Sequence, residues 1–102
     1  MNDLISSFID KTFDEVSIMY NNDEFRDGYA EAIETIKNAF YNFFAENQPD
    51  VDCKVLEFDT DYIDIIEILE YMGEEVKGRT VKDYFTISWN DSYFCILLLK
   101  KE

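Results

Sequence analysis

The sequence predicts an α+β domain of element order α-α-β-α-β-β, a small antiparallel sheet packed by helices. Three observations carry this. Segments 3–20 and 24–46 repeat apolar residues at three- and four-residue steps, the period of an amphipathic helix. Residues 51–58 alternate apolar with polar, the period of a half-buried strand. Two β-prone runs, 84–89 and 92–99, flank a two-residue break at Asn90-Asp91, as the arms of a hairpin do.

The first helix is read from Leu4, Ile5, Phe8, Ile9, Phe13, Val16 and Met19, with Asn2 or Asp3 as its cap. Asn21-Asn22-Asp23 breaks that pattern and offers the next N-cap. The second helix carries the strongest helical stripe, Phe25, Tyr29, Ile33, Ile36, Phe40 and Phe43. Gly28 falls inside it, at a cost of about 1 kcal/mol relative to Ala; close packing on the first helix would account for it. Asn47-Gln48-Pro49-Asp50 ends the helix. Val51, Cys53 and Val55 then alternate with Asp52 and Lys54. Asp59-Thr60-Asp61 caps a third helix over 61–72, and Gly73 stands where a helix C-terminus favours glycine. Residues 74–83 show no clear pattern. The apolar run Ile96–Leu99 predicts a strand buried on both faces.

A chain of 102 residues is expected to form one domain, 1–102. Folding at this size removes about 65% of the unfolded chain's surface from water, enough for a core without metals or disulfides. Apolar residues make up 47% of the chain and aromatics 17%, so its acidity is not that of a disordered tail. Cys53 and Cys95 read as two small core residues, with a disulfide or a shared metal as the alternatives. Met1, Asn2 and Asp3 do not open a secretory signal and no 18-residue apolar run is present, so a cytosolic setting with reduced thiols is expected.

Charge is the outstanding property. The chain has 23 acidic and 9 basic residues, a formal net charge of −14. Between Lys54 and Lys77 stand eight carboxylates and no basic residue. Self-repulsion at this density opposes the compact state. It also opposes direct binding to nucleic acid or to an anionic membrane.

On a wheel of 61–74 at about 100° per residue, Tyr62, Ile65, Ile66, Leu69 and Met72 form the core stripe. Asp64, Glu67, Glu70 and Glu74 fall opposite, together with Ile63, Ile68 and Tyr71. Carboxylates three residues apart rise about 4.5 Å along a helix. That approaches the axial spacing of strand phosphates, about 3.4 Å. An apolar and aromatic patch ringed by acids fits a basic groove. Asp27, Glu31 and Glu34 repeat at i, i+4 and i+7 on the second helix and extend the track. The alternative is a solvated, solubilising face, with Ile63 and Ile68 covered by another element of the domain.

Chemistry is sparse. Histidine is absent, which removes the Ser-His and Cys-His nucleophile pairs and the commonest transition-metal ligand. Gly28, Gly73 and Gly78 are too dispersed for a phosphate loop. Glu57, Asp59 and Asp61 begin like a calcium loop, but Tyr62 and Ile68 stand where it needs Gly and Glu. Pro49-Asp50 and Glu75-Val76-Lys77 have the outline of a PD-(D/E)xK nuclease, yet so acidic a nuclease would repel its substrate. Tyr84, Trp89 and Phe94 lack the interleaved basic residues of a base-stacking platform. The expectation is a protein that is not an enzyme and uses no cofactor or metal.

A histidine-free, strongly acidic domain of this size resembles the small acidic inhibitors of nucleic-acid enzymes: phage anti-CRISPR proteins, DNA-mimic anti-restriction proteins and nuclease-immunity proteins. The resemblance lies in size and charge, without a shared motif, so no family residue is carried over. The Asn-, Asp-, Lys-, Ile- and Tyr-rich usage is similar to that of AT-rich bacteria and their phages. The resemblance implies a cytoplasmic inhibitor whose partner is a basic nucleic-acid-binding protein, such as a nuclease or CRISPR effector, met in the groove that normally holds DNA or RNA. Immunity against one cognate toxin is the nearest alternative. A structural or regulatory subunit, dimerising through Ile63, Ile68 and Tyr71, is another.

Overall fold

The computed structural model describes residues 3–58, 65–73 and 76–101, Ile65 by its backbone only. Its elements are α1 (Asp3–Asn21), α2 (Tyr29–Asn47), β1 (Val51–Phe58), α3 (Ile65–Met72), β2 (Val81–Trp89) and β3 (Ser92–Lys100). This is the α-α-β-α-β-β order expected of an α+β fold. Backbone packing divides the chain into two compact units, residues 1–42 and 43–102.

In the first unit, α1 buries Ile5, Ile9, Thr12 and Val16, one face at helical spacing. Leu4, expected in that stripe, is exposed. The helix ends in a Schellman motif. The Asp23 N–H donates to the Tyr20 carbonyl and the Glu24 N–H to the Met19 carbonyl, while Asp23 takes φ 55°. Aspartate tolerates this left-handed position better than most residues. Residues 24–28 are therefore a turn and not the start of the second helix. Gly28 has φ 61°, and its carbonyl accepts the Ala32 N–H, so it caps α2 from outside. A Cβ at Gly28 would meet nothing within 4 Å. Backbone conformation, and not close helix packing, explains this glycine. Within the unit α2 buries Ala32, Ile33, Ile36 and Phe40. The Phe40 ring meets Phe8 edge-on at 5.2 Å and Phe13 at 6.5 Å.

The second unit holds a three-stranded antiparallel sheet of order β1-β3-β2. The central place of β3 explains its apolar run: Phe94 to Leu99 are all buried. Cys95, Leu97 and Leu99 face Ile68 and Met72 of α3 and Val76 beyond it, with Leu56, Phe58, Leu69 and Val81 at the margin. The other face carries Phe94, Ile96 and Leu98, with Cys53 and Val55 beside them on β1. Phe85, opposite Ile96, lies on this face and meets Phe44 from the end of α2 at 6.4 Å. Asn90, at φ 52°, opens the two-residue turn between Trp89 and Ser92. A positive φ at this position is what primed hairpin turns require, and Asn supplies it without glycine.

The register also settles the cysteines. Cys53 opposes Leu98 and Cys95 opposes Leu56, so the two thiols point to opposite faces and cannot share a disulfide or a metal. Both are free and buried. Burial, with a smaller push from Asp52, raises the Cys53 thiol to about 12, and burial raises Cys95 to about 11. Both shifts are upward, so their contribution to stability is complete below the ordinary thiol value of 9.0 and is lost as pH rises through 11 to 12. A disulfide-exchange dye at about pH 8 is expected to label neither thiol in the native protein and both after denaturation. Fast native labelling would contradict this packing.

Candidate functional site

The candidate site is built on α3. Its eight residues run from Ile65 to Met72, and Gly73, at φ 54°, ends the helix in the left-handed conformation. The side chains divide cleanly. Ile68 and Met72 are buried one turn apart, with Leu69 beside them. Ile66, Glu67, Glu70 and Tyr71 are exposed, Ile66 at 64% and Tyr71 at 78%.

Ile68 was expected among the outward acids and is core, 3% exposed. Ile66 was expected in the core and lies outside. The phase of the helix is set by Cys95, Leu97 and Leu99, which receive Ile68 and Met72. Ile68 therefore belongs to the core, and Ile66 stands on the outer face. Glu67, Glu70 and Tyr71 stand on the outer face as expected. Ile63, Asp64 and Glu74 lie outside the described residues.

Asp27, Glu31 and Glu34 belong to the other unit. Asp27 sits in the turn before α2, so it does not share a helical row with the other two. Glu31 is half-buried in the first turn of α2, where its carbonyl accepts a hydrogen bond from the Thr35 hydroxyl at 2.8 Å. Glu34 is exposed.

Beside the outer face lies an open cleft of about 480 Å³. Ile66, Leu69, Val76 and Val81 give it apolar walls. Glu70 reaches it from α3, while Lys77 and Arg79 reach it from the segment that leads into β2. Sequence patterning missed this cleft because residues 74–83 carry no periodic signal.

Basic residues gather where β1 begins and β3 ends, a feature that counting charges along the chain does not reveal. The Arg79 Nη1 donates to Asp52 Oδ2 at 2.7 Å and its Nη2 to the Lys100 carbonyl at 2.9 Å. Lys82 Nζ donates to Asp50 Oδ2 at 3.1 Å, and this hydrogen bond holds the Asp50 carboxyl below its usual range. Lys101 Nζ donates to the Pro49 carbonyl. The acidic excess of residues 43–102, with 14 acidic and 6 basic residues, is thereby offset at this end of the sheet, whereas α3 carries no basic residue of its own.

The Arg79 side chain is only 12% exposed, while its Asp52 partner is 36% exposed and its bond to the Lys100 carbonyl lies at the surface. Arg79→Ala is expected to cost about 1–3 kcal/mol in urea unfolding, because it removes two charge-assisted bonds that tie β1 and β3 to the segment before β2. An unchanged unfolding midpoint would show that this fork contributes nothing to stability.

Among the described residues, no three Asp, Glu or Cys side chains are grouped to hold a metal ion, and no helix is long and apolar enough to cross a membrane. What the arrangement presents is carboxylates and exposed apolar side chains on one helix, beside an open, largely apolar cleft. Comparison with known proteins finds no matching family model, no matching curated protein and no matching solved structure.

Proposed function

We propose that the protein is a non-enzymatic inhibitor that binds a basic nucleic-acid-handling protein, such as a nuclease or CRISPR effector, through the outer face of α3. The observation that carries this reading is the composition of that face. Glu67 and Glu70 are exposed beside Ile66 and Tyr71, the two most exposed large apolar side chains among the described residues, and the helix itself carries no basic residue. Leu4 and Ile18 on α1 are exposed too, but on α3 the two apolar side chains flank carboxylates beside an apolar cleft. A face that docks into a basic groove uses both: the acids stand in for phosphates and set the encounter rate, and Ile66 and Tyr71, which flank them on the helix surface, provide desolvated contact. Ile66 joins this face directly to the cleft.

The mixed charge at the end of the sheet favours a second reading. A surface that is acidic on α3 and compensated elsewhere suits one shaped partner better than every nucleic-acid groove. That is the behaviour of an immunity protein or antitoxin. Titration against a panel of purified nucleases and CRISPR effectors separates the readings. Inhibition of one enzyme only, with no competition from bulk DNA, selects the immunity reading. Inhibition relieved by excess duplex selects groove mimicry. Failure to inhibit any member while a basic partner is still bound would remove the inhibitor assignment.

A further inference from the structure

The two edges of the sheet differ. β1 carries Asp52, Lys54 and Glu57, the kind of charges with which natural edges discourage further pairing. β2 carries its two charges, Lys82 and Asp83, near its start and none from Tyr84 to Trp89, in a chain that is 31% charged. Its run Tyr84-Phe85-Thr86-Ile87-Ser88-Trp89 is β-branched, aromatic or hydroxylic, without glycine or proline.

The register shows which groups that edge presents. Trp89 and Ser92 flank a two-residue turn and form a hydrogen-bonded pair; by alternation Ile87–Phe94 and Phe85–Ile96 are the next such pairs. Tyr84, Thr86 and Ser88 therefore turn their N–H and C=O groups away from β3. All three side chains are exposed. The Tyr84 N–H donates to the Asp83 carboxylate at 2.8 Å, which leaves Thr86 and Ser88 as the open donors.

We propose that β2 pairs antiparallel with β2 of a second copy of this chain, about a two-fold axis at Thr86. The strand is self-complementary in this register. Thr86 faces Thr86, Tyr84 faces Ser88, and Phe85 faces Ile87, which are favourable cross-strand pairs. No like charges meet, because Asp83 falls opposite Trp89. The two Thr86 residues exchange two hydrogen bonds, and each Ser88 N–H reaches the Tyr84 carbonyl of the other copy. The result is a six-stranded sheet of order β1-β3-β2-β2-β3-β1. Both of its ends are the charged β1 edge, so assembly stops at the dimer instead of running on as a fibre.

This pairing stands apart from the α3 face, and salt distinguishes them. Two chains of net charge −14 repel, so the dimer strengthens as salt screens them, whereas an acidic face on a basic partner weakens. Sedimentation velocity across micromolar to millimolar protein, from about 0.05 to 0.5 M NaCl, tests this. The expected result is a shift from the 12.1 kDa monomer to twice that mass, larger at high salt. Thr86→Lys sets two lysines face to face on the axis and is expected to keep the monomer throughout. Should that variant fail to fold, hydrogen exchange of the unsubstituted chain decides, with the Thr86 and Ser88 amides gaining protection as concentration rises. A monomer under all conditions, a dimer that survives Thr86→Lys, or unchanged exchange at these amides would overturn the proposal.

Discussion

Replacing Glu67 and Glu70 together with lysine is expected to slow association with the proposed basic partner by about 10- to 1000-fold at low salt while leaving the fold intact. Both side chains are exposed on α3 and outside its buried core, so their replacement leaves the core packing in place. Their stability cost is expected within about 0.5 kcal/mol. Charge reversal on the docking face converts attraction into repulsion at the encounter step, so the loss should appear in the association rate and shrink as salt rises. The measurement is surface-captured binding kinetics at several salt concentrations, with circular dichroism and thermal unfolding of the variant alongside. Unfolding of the variant would assign these acids a structural role. Unchanged association in a folded variant would remove α3 from the interface.

The second large effect separates two isoleucines two positions apart. Ile68→Ala is expected to cost about 2–5 kcal/mol, because Ile68 is 3% exposed and packs with Cys95, Leu97 and Leu99 under α3. Ile66→Ala is expected to leave stability nearly unchanged, because Ile66 is 64% exposed, and to weaken partner binding instead. Urea unfolding of both variants, followed by binding assays of whichever remain folded, reads the two effects separately. The reverse outcome, with Ile66 the costly one, would rotate α3 and return Ile68 to the surface.

That pair also shows where sequence patterning reached its limit. The element order, β1, the hairpin and the buried β3 were legible because alternation and turn residues are local signals, and β3 carries the long apolar run a central strand needs. The start of α2 was not. Phe25 keeps helical spacing with Tyr29, but the backbone at Asp23 and Gly28 takes positive φ, a conformation that a hydrophobic pattern does not encode. The phase of α3 was ambiguous because Ile65, Ile66, Ile68 and Leu69 are all apolar and surround much of the helix. Including Tyr62 in its stripe pulled the inferred core toward Ile66, whereas the partner surface on β3 selects Ile68 and Met72. The basic cluster at the end of the sheet arises from the meeting of residues distant in sequence, such as Arg79, Asp52 and Lys100. No window along the chain contains it.

The most direct test of the α3 face as a basic-partner surface is capture from bacterial lysate by the tagged protein and by its Glu67→Lys/Glu70→Lys variant in parallel. Bound proteins are eluted in rising salt, or with duplex DNA and structured RNA as competitors, and identified by mass spectrometry. The account predicts a basic nucleic-acid-binding protein that the unsubstituted chain retains, the variant does not, and salt or nucleic acid releases. Equal retention of that protein by both chains, or retention indifferent to salt and to nucleic acid, would contradict it.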